Sequence, residues 1–236
     1  MKKPVRYISL LPYYLILLSV FIALAAGGSR AVTVASVNAP ITDRKTVVID
    51  AGHGGVDGGT TSCTGVLESQ YNLEIALKLN DLLHLLGIET VMIRDTDCSV
   101  YTKGETIAQK KVSDLKERAR IVNTTENAIL VSIHQNHFSL PEYSGAQVFY
   151  APTEGSEDIA KLLQMALIQA VNPNSHRQIK RADGIYLMQH INCPGVLIEC
   201  GFLSNPKETY LLGTSSYQKK LCSVIASTLS CELFGT

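Results

Sequence analysis

Between Thr46 and Arg94 a strand, a glycine-rich loop, a striped helix and a second strand follow one another, and few architectures accept that order. TVVID reads as a buried strand. ESQYNLEIALKLNDLLHLLG then reads as a helix, with Leu79, Leu82, Leu83 and Leu86 on one stripe and Gly87 at its carboxyl cap. IETVMIR returns as a strand. A crossover of this kind suits parallel neighbours covered by helices, so the chain is expected to be α/β.

The rhythm continues downstream. SDLKERARIVN reads as a helix with Ser113 as N-cap, after a polar loop from Asp95 to Val112, and AILVSIHQN as a strand. SGAQVFYAP alternates as a strand stopped by Pro152. SEDIAKLLQMALIQAVNP reads as a helix from an N-cap Ser156, GIYLM and PGVLIE as short strands, and SYQKKLCSVIASTLSCEL as a closing helix. Counting TVVID and IETVMIR, about six strands are expected in a single domain over 46–236. A chain of this length buries a sufficient core without cross-links, so the six cysteines are not expected to form a disulfide framework.

Residues 1–27 differ in kind. Lys2, Lys3 and Arg6 precede the apolar run YISLLPYYLILLSVFIALAA, which closes on small residues around Ala23-Leu24-Ala25. This is the pattern of an export signal, and the run is also long enough to be kept as a membrane anchor. Residues 28–45, rich in small and polar side chains, read as a linker. Either reading puts the domain beyond the cytoplasmic membrane. With 21 basic and 21 acidic residues the formal net charge is zero, which gives no electrostatic footprint for nucleic acid.

VVIDAGHGG sets His53 among glycines just past the first strand, where it is either a ligand or a polar residue in a turn. Two further groups decide between these. Glu68 opens the first helix and His134 ends the strand AILVSIH, and strand ends and following helix starts converge on one rim of an α/β sheet. Two imidazoles and one carboxylate are the protein ligands of a catalytic zinc site, with a fourth position left for water. Glu199, at the end of the apolar strand GVLIE, fits the same rim as the group that takes a proton from water and returns it to a leaving amine. The expected chemistry is hydrolysis of an amide or ester.

The words VVIDAGHGGVDGG, LKERARIVN, LVSIHQN, GAQVFY and VLIECGFLSNPKE, in this order, together resemble the zinc-dependent N-acetylmuramoyl-L-alanine amidases of the family-3 type. The resemblance runs from Thr46 onward. It implies a twisted mixed sheet with helices on both faces, Zn2+ held by His53, Glu68 and His134, and Glu199 as the catalytic carboxylate. Arg118, Asn123 and Asn136 match recurrent motif positions that shape the site. Gln135 and His137 depart from the small residues usual there, and His137 becomes a candidate substrate contact. Cys200 follows Glu199 and, by strand alternation, faces away from it.

The implied reaction is cleavage between the lactyl group of N-acetylmuramic acid and the first L-alanine of the peptidoglycan stem, so the partners are glycan strands and stem peptides. Lys180 and Arg181 are a basic pair available to stem carboxylates. The short step from GAQVFY to Ser156 leaves no room for an inhibitory helical plug, and no wall-binding repeat is seen. That bare architecture resembles the germination-specific subgroup, which acts on spore cortex and helps make muramic-δ-lactam, with control left to timing, localisation or a regulatory protein partner. The alternatives are a zinc peptidase that cuts the stem itself and a catalytically silent peptidoglycan-binding protein.

Overall fold

The computed structural model describes residues 44–234. The signal or anchor segment and nearly all of the expected linker lie outside them. Along the chain come β1 (Thr46–Ala51), α1 (Glu68–Leu85), β2 (Glu89–Met92), α2 (Ile107–Thr124), β3 (Ala128–Asn136), β4 (Gln147–Tyr150), α3 (Ser156–Val171), β5 (Lys180–Arg181), α4 (Tyr186–Gln189), β6 (Gly195–Phe202), α5 (Pro206–Leu212) and α6 (Ser215–Phe234). No helix among the described residues is long and apolar enough to cross a membrane.

The strands form one sheet in the order β2-β1-β3-β6-β4-β5. β2, β1, β3 and β6 run parallel, while β4 lies antiparallel to β6 and parallel to β5. The sheet is therefore mixed, as expected.

Period-two alternation sorts the strand side chains into two layers. Val47, Ile49, Ile129, Val131, Ile133, Val196, Ile198 and Cys200 meet the buried stripes of α1, α3 and α6. Val48, Leu130 and Leu197 face the other way, against Ala119 and Val122 of α2 and Leu187 and Met188 of α4. This second cover is incomplete. Toward the carboxyl ends of β1, β3 and β6, the same face carries Asp50, Ser132, His134 and Glu199 into an open cleft.

Several local expectations are corrected. α2 begins at Ile107, where Thr106 and Gln109 form a reciprocal capping box. Ser113 lies inside the helix, and its hydroxyl accepts from the backbone N–H groups of Thr102 and Lys103, fixing the loop before α2. At α3 the cap is Gly155, in the left-handed region at φ 79°. The Ser156 hydroxyl turns instead to the Gly195 N–H at 2.9 Å, tying α3 to β6. The segment GIYLM supplies the helical turn α4 and not a strand, because Leu187 and Met188 are buried as neighbours on the α2 side. The strand in its place is β5, the exposed pair Lys180–Arg181. α5, capped by Asn205 with Pro206 in its first turn, was not anticipated.

All six cysteines are free thiols, and Cys200 lies in the core layer opposite Glu199. Burial raises its thiol pKa far above the ordinary range, which suits an inert packing residue.

Candidate metal centre and active site

β1 delivers the chain into the loop Gly52–Gly59, whose turn is closed by paired hydrogen bonds between Gly54 and Asp57. His53 sits in this loop at φ +60°, a left-handed conformation uncommon for a residue with a side chain. Two arginines hold it there. Arg94 donates to the carbonyls of Ala51, Gly52 and Ser69, and Arg118 donates to those of Ala51 and His53. Three successive carbonyls of a strained segment are thus satisfied by planar forks from β2's end and from α2. Arg118 also binds the carboxylates of Asp50 and Asp114, and Ser132 donates to Asp50 at 2.6 Å.

Glu68, the first residue of α1, reaches beneath this loop. Its Oε2 lies 3.3 Å from His53 Nε2 and its Oε1 lies 3.0 Å from His134 Nδ1. The two imidazoles meet edge to face with ring centres 5.0 Å apart. The three donor atoms lie within 4.8 Å of one another and form a group able to hold a metal ion.

The surrounding backbone leaves room for this group and for little else. A Cβ on Gly52 would fall 2.2 Å from the His134 ring, and one on Gly59 would fall 2.6 Å from Glu68 Oε2 and 2.8 Å from His53. Two of the three donors have further partners. His53 Nδ1 meets Asp57 at 3.1 Å, and Glu68 accepts from the N–H groups of Thr60 and Gln135 and from the Asn72 amide. Asn72 in turn bonds Gln135 and the Gly52 carbonyl. Such outer contacts fix the orientation of metal-binding groups.

The electrostatics follow. Burial disfavours the Glu68 anion, but hydrogen bonds from His134 and His53 outweigh it and hold the carboxyl far below the usual range. Burial likewise opposes charge on His53, yet Glu68 and Asp57 raise its pKa on balance.

Glu199 has the opposite environment. It is the register partner of His134 on the neighbouring strand, and its Oε2 is buried without a hydrogen-bond partner among the described residues. Burial pushes its carboxyl up to about 7. A carboxyl poised there exchanges protons readily near neutral pH.

His53, His134 and Glu199 line a cleft of about 370 Å³ whose other walls include Tyr101, Lys110, Lys111 and Leu187. The structure therefore brings His53, Glu68, His134 and Glu199 together. Arg118 is buried beneath the loop, where it contacts backbone and carboxylates. Asn136, the last residue of β3, and His137 just after it lie outside the lining of this cleft, and Asn123 bonds His190 and Asn192. Lys180 and Arg181 occupy the sheet edge. Asp57, Asn72, Arg94 and Asp50 were not singled out from sequence. Asn72 had a signal, being the polar member of the buried α1 stripe that continues through Ala76, Leu79 and Leu83.

Comparison with known proteins agrees with this geometry. A family model described as N-acetylmuramoyl-L-alanine amidase matches residues 47–231. The germination-specific N-acetylmuramoyl-L-alanine amidase of Bacillus subtilis is 39% identical over 183 residues, spanning 77% of this chain and 76% of that protein. The CwlD amidase from Clostridioides difficile, solved in complex with the GerS lipoprotein, superposes with a TM-score of 0.78 at 38% identity, covering 82% of this chain and 100% of that one. An N-acetylmuramoyl-L-alanine amidase from Clostridium difficile 630 gives a TM-score of 0.72 at 31% identity over 82% of this chain and 99% of that one. The chain belongs to the N-acetylmuramoyl-L-alanine amidase family.

Proposed function

We propose that this chain is an exported, zinc-dependent amidase that cleaves the bond between N-acetylmuramic acid and the stem L-alanine, and that its substrate is spore cortex peptidoglycan. The cortex assignment is supported by the likeness to the germination-specific relative. Export is supported by the amino-terminal signal pattern and by membership of a family of peptidoglycan amidases. The GerS complex of the similar CwlD supports a protein partner here as well.

The residues present suit zinc. Two imidazoles and one carboxylate are a catalytic zinc donor set, and the positions of Gly52 and Gly59 keep the space between them clear. His53, Glu68 and His134 would hold the ion. When bound, zinc supplies Lewis acidity that polarises the scissile carbonyl and acidifies water.

The protein's own groups do the rest. Asp57 keeps the His53 ring turned toward Glu68 through its contact with Nδ1. Glu199, which lines the cleft, accepts a proton from the attacking water, then returns it to the alanine nitrogen as the amide breaks. Leu187 and Leu197 give the cleft wall an apolar surface beside that transfer.

The observation that carries the reading is the pairing of the His-Glu-His group with a buried, unpartnered carboxylate one strand away. Deleting the gene in a spore former and restoring it tests the biological part. The account expects cortex without muramic-δ-lactam after deletion and its return with the wild-type chain. Unchanged cortex would contradict the spore assignment.

A further inference from the structure

Among the cleft's charged side chains, nearly every member has a partner of opposite sign. Asp50 and Asp114 bind Arg118, and Asp57 binds both His53 and Lys111. The exceptions are Glu199, the proposed proton acceptor, and Lys110. Lys110 lines the same cleft, half-buried, with its ammonium 5.2 Å from the centre of the Tyr101 ring and no carboxylate within ion-pair distance among the described residues. A cation held against an aromatic face at a cleft wall, with no internal counter-ion, is arranged to meet an external anion.

Its position relative to the chemistry follows from Lys111. That neighbour's ammonium lies 3.1 Å from Asp57, whose carboxylate lies 3.1 Å from His53. The first turns of α2 therefore form the wall beside the candidate metal centre. On the amidase reading, the departing fragment begins with L-alanine and continues with a γ-linked D-glutamate. The α-carboxylate of that D-glutamate is the first negative charge beyond the scissile amide.

We infer that Lys110 is a specificity residue that binds this α-carboxylate, with Tyr101 fixing the direction of its side chain. The inference rests on the amidase reading. It assigns to the α2 wall a stem-carboxylate contact separate from the basic pair Lys180 and Arg181 of the edge strand β5. It also makes the protein sensitive to amidation of the stem, since isoglutamine carries no charge at that position.

The test compares two synthetic muramoyl glycopeptides that differ only in carrying D-glutamate or D-isoglutamine. Each is cleaved by the full zinc-loaded chain and by its Lys110→Met and Lys110→Arg variants. The wild type is expected to prefer the acid by about fivefold in kcat/KM, the scale of one partly screened ion pair. That ratio should fall to near one in Lys110→Met and persist in Lys110→Arg. Equal cleavage of the two by the wild type, or a preference that survives in Lys110→Met, would overturn the assignment and leave the amidase reading intact. Cleavage of neither would overturn the amidase reading, and this inference with it.

Discussion

His134 and Glu199 stand opposite each other in register on the adjacent parallel strands β3 and β6, so both side chains leave the same face of the sheet. One is drawn toward Glu68 by a 3.0 Å contact, while the other keeps a buried oxygen without a partner. A candidate metal ligand and the proposed proton acceptor are thereby fixed at one strand spacing by backbone pairing.

Replacing Glu199 by Gln should abolish proton transfer while preserving shape. The expected loss in kcat is about 10²- to 10⁴-fold. Zinc content and melting temperature should not fall, because the substitution removes a carboxyl that burial disfavours as an anion. Parallel assays of turnover, bound zinc and thermal unfolding check this. A loss of zinc equal to the loss of activity would contradict a proton-transfer role.

Gly52 tests the space around His134. In Gly52→Ala the new methyl would meet the imidazole, which must rotate away from Glu68. Zinc affinity should fall at least about tenfold, as for lost support around a metal ligand. Competition with a chelator measures it, and an unchanged affinity would show that the ring's position does not matter.

Arg118 shows what legibility in a sequence amounts to. Its motif position was recognisable, but its work depends on the carbonyls of Ala51 and His53, which only the folded loop presents. Strands with clear alternation or continuous apolar runs, such as β1, β3 and β6, were readable because one period sets both burial and direction. The two-residue β5 was not, since its side chains are exposed and it pairs only through backbone. Ser113 and Ser156 misled because a serine before an apolar stripe resembles a cap even when its hydroxyl serves another segment. The clustering of His53, Glu68 and His134 was legible because each member sits just past a strand, at a strand end or at a helix start. Asp57 was not, because its contact with His53 arises from the tight Gly54–Asp57 turn.

Arg118→Lys keeps the charge and loses the fork. It should destabilise the domain by about 2–4 kcal/mol, because buried carboxylates and carbonyls lose a donor each. Urea unfolding of the two proteins gives the difference.

Acid sensitivity should follow Asp50. Burial raises its pKa, but the Arg118 charge and the hydrogen bonds from Ser132 and Arg118 outweigh that and hold it below the usual value. A carboxyl with a depressed folded pKa contributes stability above its unfolded value of about 3.9, and that contribution is lost as pH falls through the folded value. Stability should therefore drop below about pH 4, and the drop should be shallower in Asp50→Asn, which starts less stable at neutral pH. Denaturant midpoints between pH 2 and 7 would reveal the opposite slope if the carboxyl were instead raised.

The most direct measurement is the mass of what is released from purified cortex peptidoglycan by the full zinc-loaded chain and by its Glu199→Gln variant. Intact stem peptides with a free L-alanine amine are expected from the first and none from the second. Fragments cut within the stem, or equal release by both proteins, would contradict the amidase reading.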